Sequence, residues 1–277
     1  VGTSLSPEFK AVLVSDIHHM TMKPVREPTP WGSAAAEKRT TMTEGTTLAS
    51  PIDADTVARL ARRVDALEGE LAVRRLQHQY GYYLDKCLYS EVVDLFSKEA
   101  EVVFIGGIYR GRAGIERLYL QRFRERFTQG YNGPVRGFLL DHLQLQDVVT
   151  VDPDGIFAHA RFRCVMQAGV HESTRAEFPG KTAFEQWWEG GVYENEYVRE
   201  DGIWKIKRLD YRPTWHADYA KGWSETAPLT QVVPTATYPE DPIGPDEIAA
   251  GVFETFPNTE VVGFHYAHPV TDKAWRA

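Results

Sequence analysis

Asp85 closes the run LQHQYGYYLDK over Leu76–Lys86, and it is the side chain best placed to move a proton. On a helix, residues three, four and seven apart share a face. Asp85 therefore sits with Tyr82, Gly81 and His78, while Leu76, Tyr80, Tyr83 and Leu84 point elsewhere. A carboxylate at a helix C-terminus opposes the macrodipole, at a cost of a few tenths of a kcal/mol up to about 1. Something must hold it there. The choice lies between a salt bridge to Lys86 or a cap for the next segment, and a pocket in which Asp85 is a general base.

The second informative run is Asp141–Gln146, DHLQLQ. In a strand, His142, Gln144 and Gln146 share one face, and Leu143 and Leu145 the other. Three polar groups in a row on a central strand need partners or a wet cavity. Alone, His142 reads as a satisfied structural residue; opposite a helix carboxylate it reads as half of an acid–base dyad. YENEY at 193–197 alternates in the same way, with Tyr193, Asn195 and Tyr197 on one side and Glu194 and Glu196 on the other. His159, Arg161 and Arg163 share a face of the preceding strand, where pairing with Glu194 or Glu196 is the first reading.

The sequence holds no HExxH, no CxxC, no calcium-type loop, no GxGxxG, no P-loop and no serine nucleophile elbow. Gly106-Gly107 is turn chemistry. The expectation is cofactor-free acid–base work with no metal, for which His plus Asp is sufficient. A net charge of −8 argues against nucleic acid and anionic membrane surfaces as partners. Two cysteines, Cys87 and Cys164, lie inside element-like patterns and read as reduced core thiols. No apolar run reaches the roughly 20 residues of a membrane helix, and Ala11–Val14 is too short for a signal-peptide core. A cytoplasmic protein is expected.

Behind the site lie the elements that must carry it. Residues 1–52 show no sustained period and read as a disordered or loosely docked arm; the pair His18-His19 within it reads as solvated. From Asp53, with Asp53 or Asp55 as a plausible cap, Val57, Leu60, Val64, Leu67 and Leu71 form a short heptad stripe. It is suited to packing on its own domain or on a partner subunit. Near Gly69 the phase shifts to Val73, Leu76, Tyr80 and Tyr83. Helices are expected at Ser90–Ser97 and Ala113–Phe127, a strand at Glu101–Ile105, and a tight turn around Ile108-Tyr109. Long strands follow at Phe138–Val151, Ile156–Ala168, Gly191–Arg199 and Ile203–Thr214, with hairpin turns at Asp152–Gly155 and Asp201-Gly202. Helices first and an antiparallel meander after them signal α+β. Beyond Trp223, seven prolines and spaced aromatics describe an extended arm over 224–277 that wraps its own domain or a neighbour. The strands' two-sided patterning predicts a dimer or higher homo-oligomer through the open face of the sheet.

Across roughly residues 55–223 the chain resembles the nuclear-transport-factor-2-like (NTF2-like) superfamily, in its SnoaL-like branch. The carriers are LEGELAVRRLQHQYGYYLDK (67–86), VVDLF (92–96), GIYRGRAGIERL (107–118), DHLQLQDVV (141–149), VYENEYVREDGIWKIKRL (192–209) and Trp223. The resemblance implies an α+β cone, with N-terminal helices packed on a curved antiparallel sheet, over residues 53–223. In scytalone dehydratase and the dehydrochlorinase of that superfamily a pocket Asp pairs with a sheet His, and Asp85 and His142 match those positions. YGYYLDK, HLQLQ, YENEY and the Pro-rich tail are similar to a narrower group, the bacterial diarylpropane-diol γ-formaldehyde lyases of lignin-dimer catabolism.

That likeness implies a cofactor-independent lyase on a small aromatic substrate, a 1,2-diarylpropane-1,3-diol, releasing formaldehyde and forming a stilbene through a quinone methide. Asp85 and His142 are then the acid–base pair, assisted by Tyr82, with Lys86 a lesser candidate. Tyr80, Arg161, Trp188, Tyr193, Asn195 and Tyr197 are candidates for holding rings and phenolic oxygens. The rival readings are a SnoaL-like dehydratase or isomerase on a smaller aromatic or polycyclic substrate, and a non-catalytic ligand-binding domain.

Overall fold

A computed structural model describes residues 53–178, 186–228, 234–249 and 254–275. All fall in one compact unit, Ile52–Ala277. The expectations for residues 1–52, including His18-His19, lie outside the described residues.

Asp53 caps the first helix, its backbone extended and its carboxylate accepting the Thr56 amide at 2.7 Å. That helix, α1 (Ala54–Asp85), has 32 residues and a length of about 48 Å. Only its second half is built into the core, through Gly69, Val73, Leu76, Gln77, Tyr80, Gly81 and Leu84. Two glycines set how closely the helix approaches the sheet. A methyl at Gly69 would meet Val151 at 3.2 Å, and one at Gly81 would meet Gln144 at 3.0 Å.

A short helix, α2 (Tyr89–Val93), follows, then β1 (Phe96–Phe104) and β2 (Gly107–Arg110). The expected helix Ser90–Ser97 thus stops early, because Phe96 already starts a strand. The expected turn around Ile108-Tyr109 is itself β2, paired to β1 from Glu101↔Arg110 to Phe104↔Gly107. The third helix, α3, runs through Gly111–Glu116, a π-helical segment Arg117–Phe123 and Arg124–Thr128. Its buried residues include Leu118, Tyr119 and Phe123.

Four long strands complete the fold: β3 (Phe138–Val151), β4 (Phe157–Val170), β5 (Gln186–Glu200) and β6 (Ile203–Asp218). A short β7 (Glu247–Ile248) closes the order β3-β4-β5-β6-β1-β2-β7. Among the described strands, only β1 and β6 run parallel. The inner face packs Phe162, Tyr193, Tyr211 and Ile206 against Tyr80 and Leu84 of α1. This is the expected α+β arrangement, helices packed on a mostly antiparallel sheet. No described helix is long and apolar enough to cross a membrane.

The C-terminal arm lies on its own domain. Asp246 accepts from the Arg110 amide at 2.7 Å and pairs with Arg117 at 2.5 Å, and β7 extends the sheet beside β2. Farther on, Phe256 donates to the Thr214 carbonyl at 2.8 Å. Arg161 then holds the arm to the outer face of β4, donating to the carbonyls of Val262 at 2.8 Å and of Gly263 and lying 4.0 Å over the Phe264 ring. The arm therefore occupies part of the sheet face through which a dimer was expected. Arg161→Ala should free this anchor and lower unfolding free energy on the order of 2 kcal/mol. Limited proteolysis would show new cuts between residues 254 and 275; an unchanged digest would separate the arm from Arg161.

Candidate active site

The last turn of α1 faces the middle of β3. Asp85 Oδ1 accepts two hydrogen bonds from one residue, the His142 amide at 2.7 Å and its Nδ1 at 2.9 Å. Both side chains are nearly enclosed, at 11% and 9% exposure. A carboxylate can only accept, so Nδ1 turns its hydrogen to Asp85, and Nε2 is the nitrogen left to meet a substrate. The carboxylate that the helix dipole disfavours is held by these bonds, and the geometry fixes the imidazole's orientation.

His142 belongs to a row that crosses four strands, His142↔Met166↔Glu189↔His216. Directly opposed residues share a face, and neighbouring strands lie about 4.8 Å apart. Glu189 thus stands on the inner face two strands, or about 10 Å, from His142. It is enclosed, and Tyr211 donates to its Oε1 at 2.6 Å. Burial pushes the Glu189 carboxyl up from its ordinary range; the Tyr211 bond, and His142 when it carries a proton on both nitrogens, pull partly the other way. His216 Nε2 stands 4.0 Å from Glu189 Oε2. Burial lowers this imidazole to about 4, partly offset by Asp218, so it is neutral at pH 7.

Below the dyad lies a layer of tyrosines. Tyr80 and Tyr119 share a hydrogen bond at 3.0 Å, the Tyr80 ring meets Tyr193 edge-on at 6.1 Å, and Tyr193 lies 4.7 Å from Tyr211. Burial raises all four phenols well above their usual range, so they are neutral hydrogen-bonding groups. Deeper still, Gln77 Oε1 accepts from Asn195 at 3.0 Å and from Tyr197 at 2.8 Å, while Gln77 Nε2 donates to Gln144 at 3.0 Å. That network closes the narrow end. Gln144 Nε2, next along the inner face of β3 from His142, is buried beside the Tyr193 hydroxyl.

Of the residues singled out from sequence, Asp85, His142, Tyr80 and Tyr193 come together around this row. Asn195 and Tyr197 also face inward, but their polar atoms are taken up by Gln77 and, for Asn195 Oδ1, by the Asp210 amide at 3.0 Å. Four candidates are placed elsewhere. Tyr82 is 75% exposed, because β3 is an edge strand and the helix face beyond it has nothing to pack on. Lys86 is the exposed C-cap residue. Arg161 alternates with the buried Ala160 and Phe162 and so points outward, to Glu194 at 2.5 Å and to the arm. Trp188 likewise alternates with Glu189 and stacks on Tyr219 at 6.0 Å. It borders an open cleft of about 400 Å³ at this end of the sheet, with Phe138, Ala168, Trp187 and Tyr219.

Glu189, Tyr211, His216, Tyr119 and Gln77 were not anticipated. For Glu189 a signal existed: the alternation that carries Tyr193, Asn195 and Tyr197 inward runs back to residue 189. For His216 it did not, since Tyr211 and His216 are five apart and should face oppositely. An extra residue on β6, opposite Gly190/Gly191, reverses the alternation and puts both inside. The Gly190-Gly191 pair belongs to this device. A methyl on Gly191 would come within 2.6 Å of the Tyr211 ring, and one on Gly190 would strike Trp215. Gly191→Ala should therefore break the Tyr211–Glu189 bond and cost about 1–3 kcal/mol. Denaturant unfolding measures it, and a loss near zero would mean that Tyr211 has room to move.

Several solved structures are similar in fold. A candidate scytalone dehydratase from Novosphingobium aromaticivorans aligns at 21% identity over 55% of this chain and 89% of its own, with a TM-score of 0.43. Hexachlorocyclohexane dehydrochlorinase LinA-type3 from Novosphingobium barchaimii aligns at 19% over 59% and 94%, with a TM-score of 0.42. No curated protein matches the chain. The profile of the SnoaL-like domain, however, matches residues 65–210, a span that starts within α1, includes Asp85, His142 and Glu189, and stops within β6. With more than half of its length so matched, the chain belongs to the SnoaL-like domain family.

Proposed function

We propose that this protein is a cofactor-independent lyase acting on a 1,2-diarylpropane-1,3-diol of the lignin-dimer type, releasing formaldehyde and leaving a stilbene. The observation that carries the reading is an oriented imidazole base and a carboxyl group with a raised pKa on one row of an enclosed aromatic face. Met166 stands between the two groups on this row, with their strands about 10 Å apart. The choice of substrate rests on the likeness of YGYYLDK, HLQLQ, YENEY and the Pro-rich tail to the γ-formaldehyde lyases.

Glu189 gives its proton to the benzylic hydroxyl, which leaves as water while the para-phenol loses its own proton to solvent, which returns it in the next step, and the ring becomes a quinone methide. His142 Nε2 then takes the proton of the terminal hydroxymethyl group. The O–H electron pair becomes the carbonyl of formaldehyde, and the carbon–carbon bond breaks. Its electrons form the central double bond as the ring regains aromaticity and the phenolate is reprotonated. The proton on His142 returns to Glu189, so the cycle closes with one diol giving one stilbene, one formaldehyde and one water. Asp85 stabilises the imidazolium until that proton leaves. Tyr80 and Tyr193 offer ring surface and neutral hydroxyls to the phenolic end, and the aromatic cleft around Trp187 receives the other ring.

Incubation with a panel of two-ring and one-ring phenolic diols, without added cofactor, tests this. Stilbene absorbance together with formaldehyde from the two-ring diols is expected. Alkene formation without formaldehyde would make the protein a dehydratase using the same groups. No turnover of any member would leave a binding domain and remove the lyase reading.

A further inference from the structure

The first half of α1 carries an apolar stripe that its own domain leaves uncovered. Val57, Leu60, Val64, Leu67 and Leu71 are all between 46% and 58% exposed. At 100° per residue they cluster about 180° from Gly69, Val73, Leu76 and Tyr80, the residues on the sheet. Among the described residues, the domain meets this part of the helix on the opposite side, where Asp65 pairs with Arg199 at 2.9 Å and Gly69 lies against Val151. The stripe ends at Leu71 for a structural reason: the next seam positions, Arg74 and His78, turn into the domain, to Asp147 at 2.5 Å and to the Phe162 ring.

We propose that this stripe pairs with the same stripe of a second copy, as a short parallel two-stranded coiled coil. Three features of the sequence select that occupant. The spacing is alternately three and four, the period of a left-handed seam. With Val57, Val64 and Leu71 at a, the d positions are Leu60 and Leu67, and Val at a with Leu at d favours two parallel strands. The flanking charges then match: in parallel register, g pairs with the following e of the partner, which sets Arg63 against the partner's Glu68 and Glu70 against the partner's Arg75. Both pairs are of opposite sign. Each domain lies on the outer side of its helix, away from the seam. Two heptads make a weak pair, so the dimer is concentration-dependent.

Leu67→Cys in the full chain tests register and partner together. Cys87 and Cys164 are buried, so a new disulfide reports on position 67. Mild oxidation should give a thiol-reversible species of twice the chain mass, and Leu60→Asp/Leu67→Asp should shift sedimentation toward monomer while the domain stays folded. Arg63→Glu should weaken cross-linking several-fold, and adding Glu68→Arg should restore it. Restoration by Glu70→Arg instead would show an antiparallel pair and overturn the parallel register. No cross-link, with sedimentation unchanged by the double Asp variant, would overturn the pairing. A cross-link that appears only after removal of residues 1–52 would also overturn it, by making that segment the occupant.

Discussion

Asp85→Asn and His142→Ala should each lower turnover of the diol by about 10²–10⁴-fold in a protein that still folds. Asn keeps the shape of Asp85 and can still accept from the His142 amide, but it removes the charge that stabilises the imidazolium. Ala at 142 removes the base itself. Because the two residues act as one unit, bonded twice through a single oxygen, the double variant should be scarcely slower than the slower single one. If Asp85 were only a helix-end ion pair, its replacement would cost about 1 kcal/mol of stability or less and leave turnover near wild type. A folded Asp85→Asn protein turning over within a few-fold of wild type would remove Asp85 from the mechanism.

Glu189→Gln should be comparably slow, by about 10²–10⁴-fold, and should also change the shape of the pH–rate profile. The wild-type carboxyl acts as an acid only while protonated. Its rate therefore falls as pH rises through its folded pKa, which burial has raised above the ordinary carboxylate range. The Gln variant loses that alkaline limb. Tyr211→Phe removes the bond that favours the ionised form and should move the limb to still higher pH. The same shift bears on stability. A group whose folded pKa lies above its unfolded one stabilises below the unfolded pKa, and that contribution is lost as pH rises through the folded value. Denaturant unfolding at pH 4 and at pH 8 should find Glu189→Gln gaining on wild type at the higher pH. A rate profile unchanged in Glu189→Gln would exclude Glu189 as the acid.

Much of the architecture was legible because it rests on local rules. An acidic cap at Asp53 or Asp55, the phase shift near Gly69, the Asp152–Gly155 and Asp201-Gly202 turns and the alternation of the four long strands all follow from residue type and period. The Asp85–His142 pairing was legible as a carboxylate in an unfavourable helix position and a polar run on a strand. What escaped depends on which elements lie beside each other. Tyr82 shares a helix face with Asp85, yet only the sheet edge decides that one is enclosed and the other bare. Arg161 looked available to a ligand because the arm that binds it is more than a hundred residues away in the chain. His216 was hidden by an irregularity in β6, and Glu189 gains its meaning from the row that aligns it with His142 across β4.

The most direct measurement is the stoichiometry of products from a 1,2-diarylpropane-1,3-diol with the wild-type protein and no added cofactor. The account predicts one formaldehyde for each stilbene formed, with both lost together in His142→Ala. Alkene formed with no formaldehyde, or formaldehyde release unaffected in a folded His142→Ala protein, would contradict it.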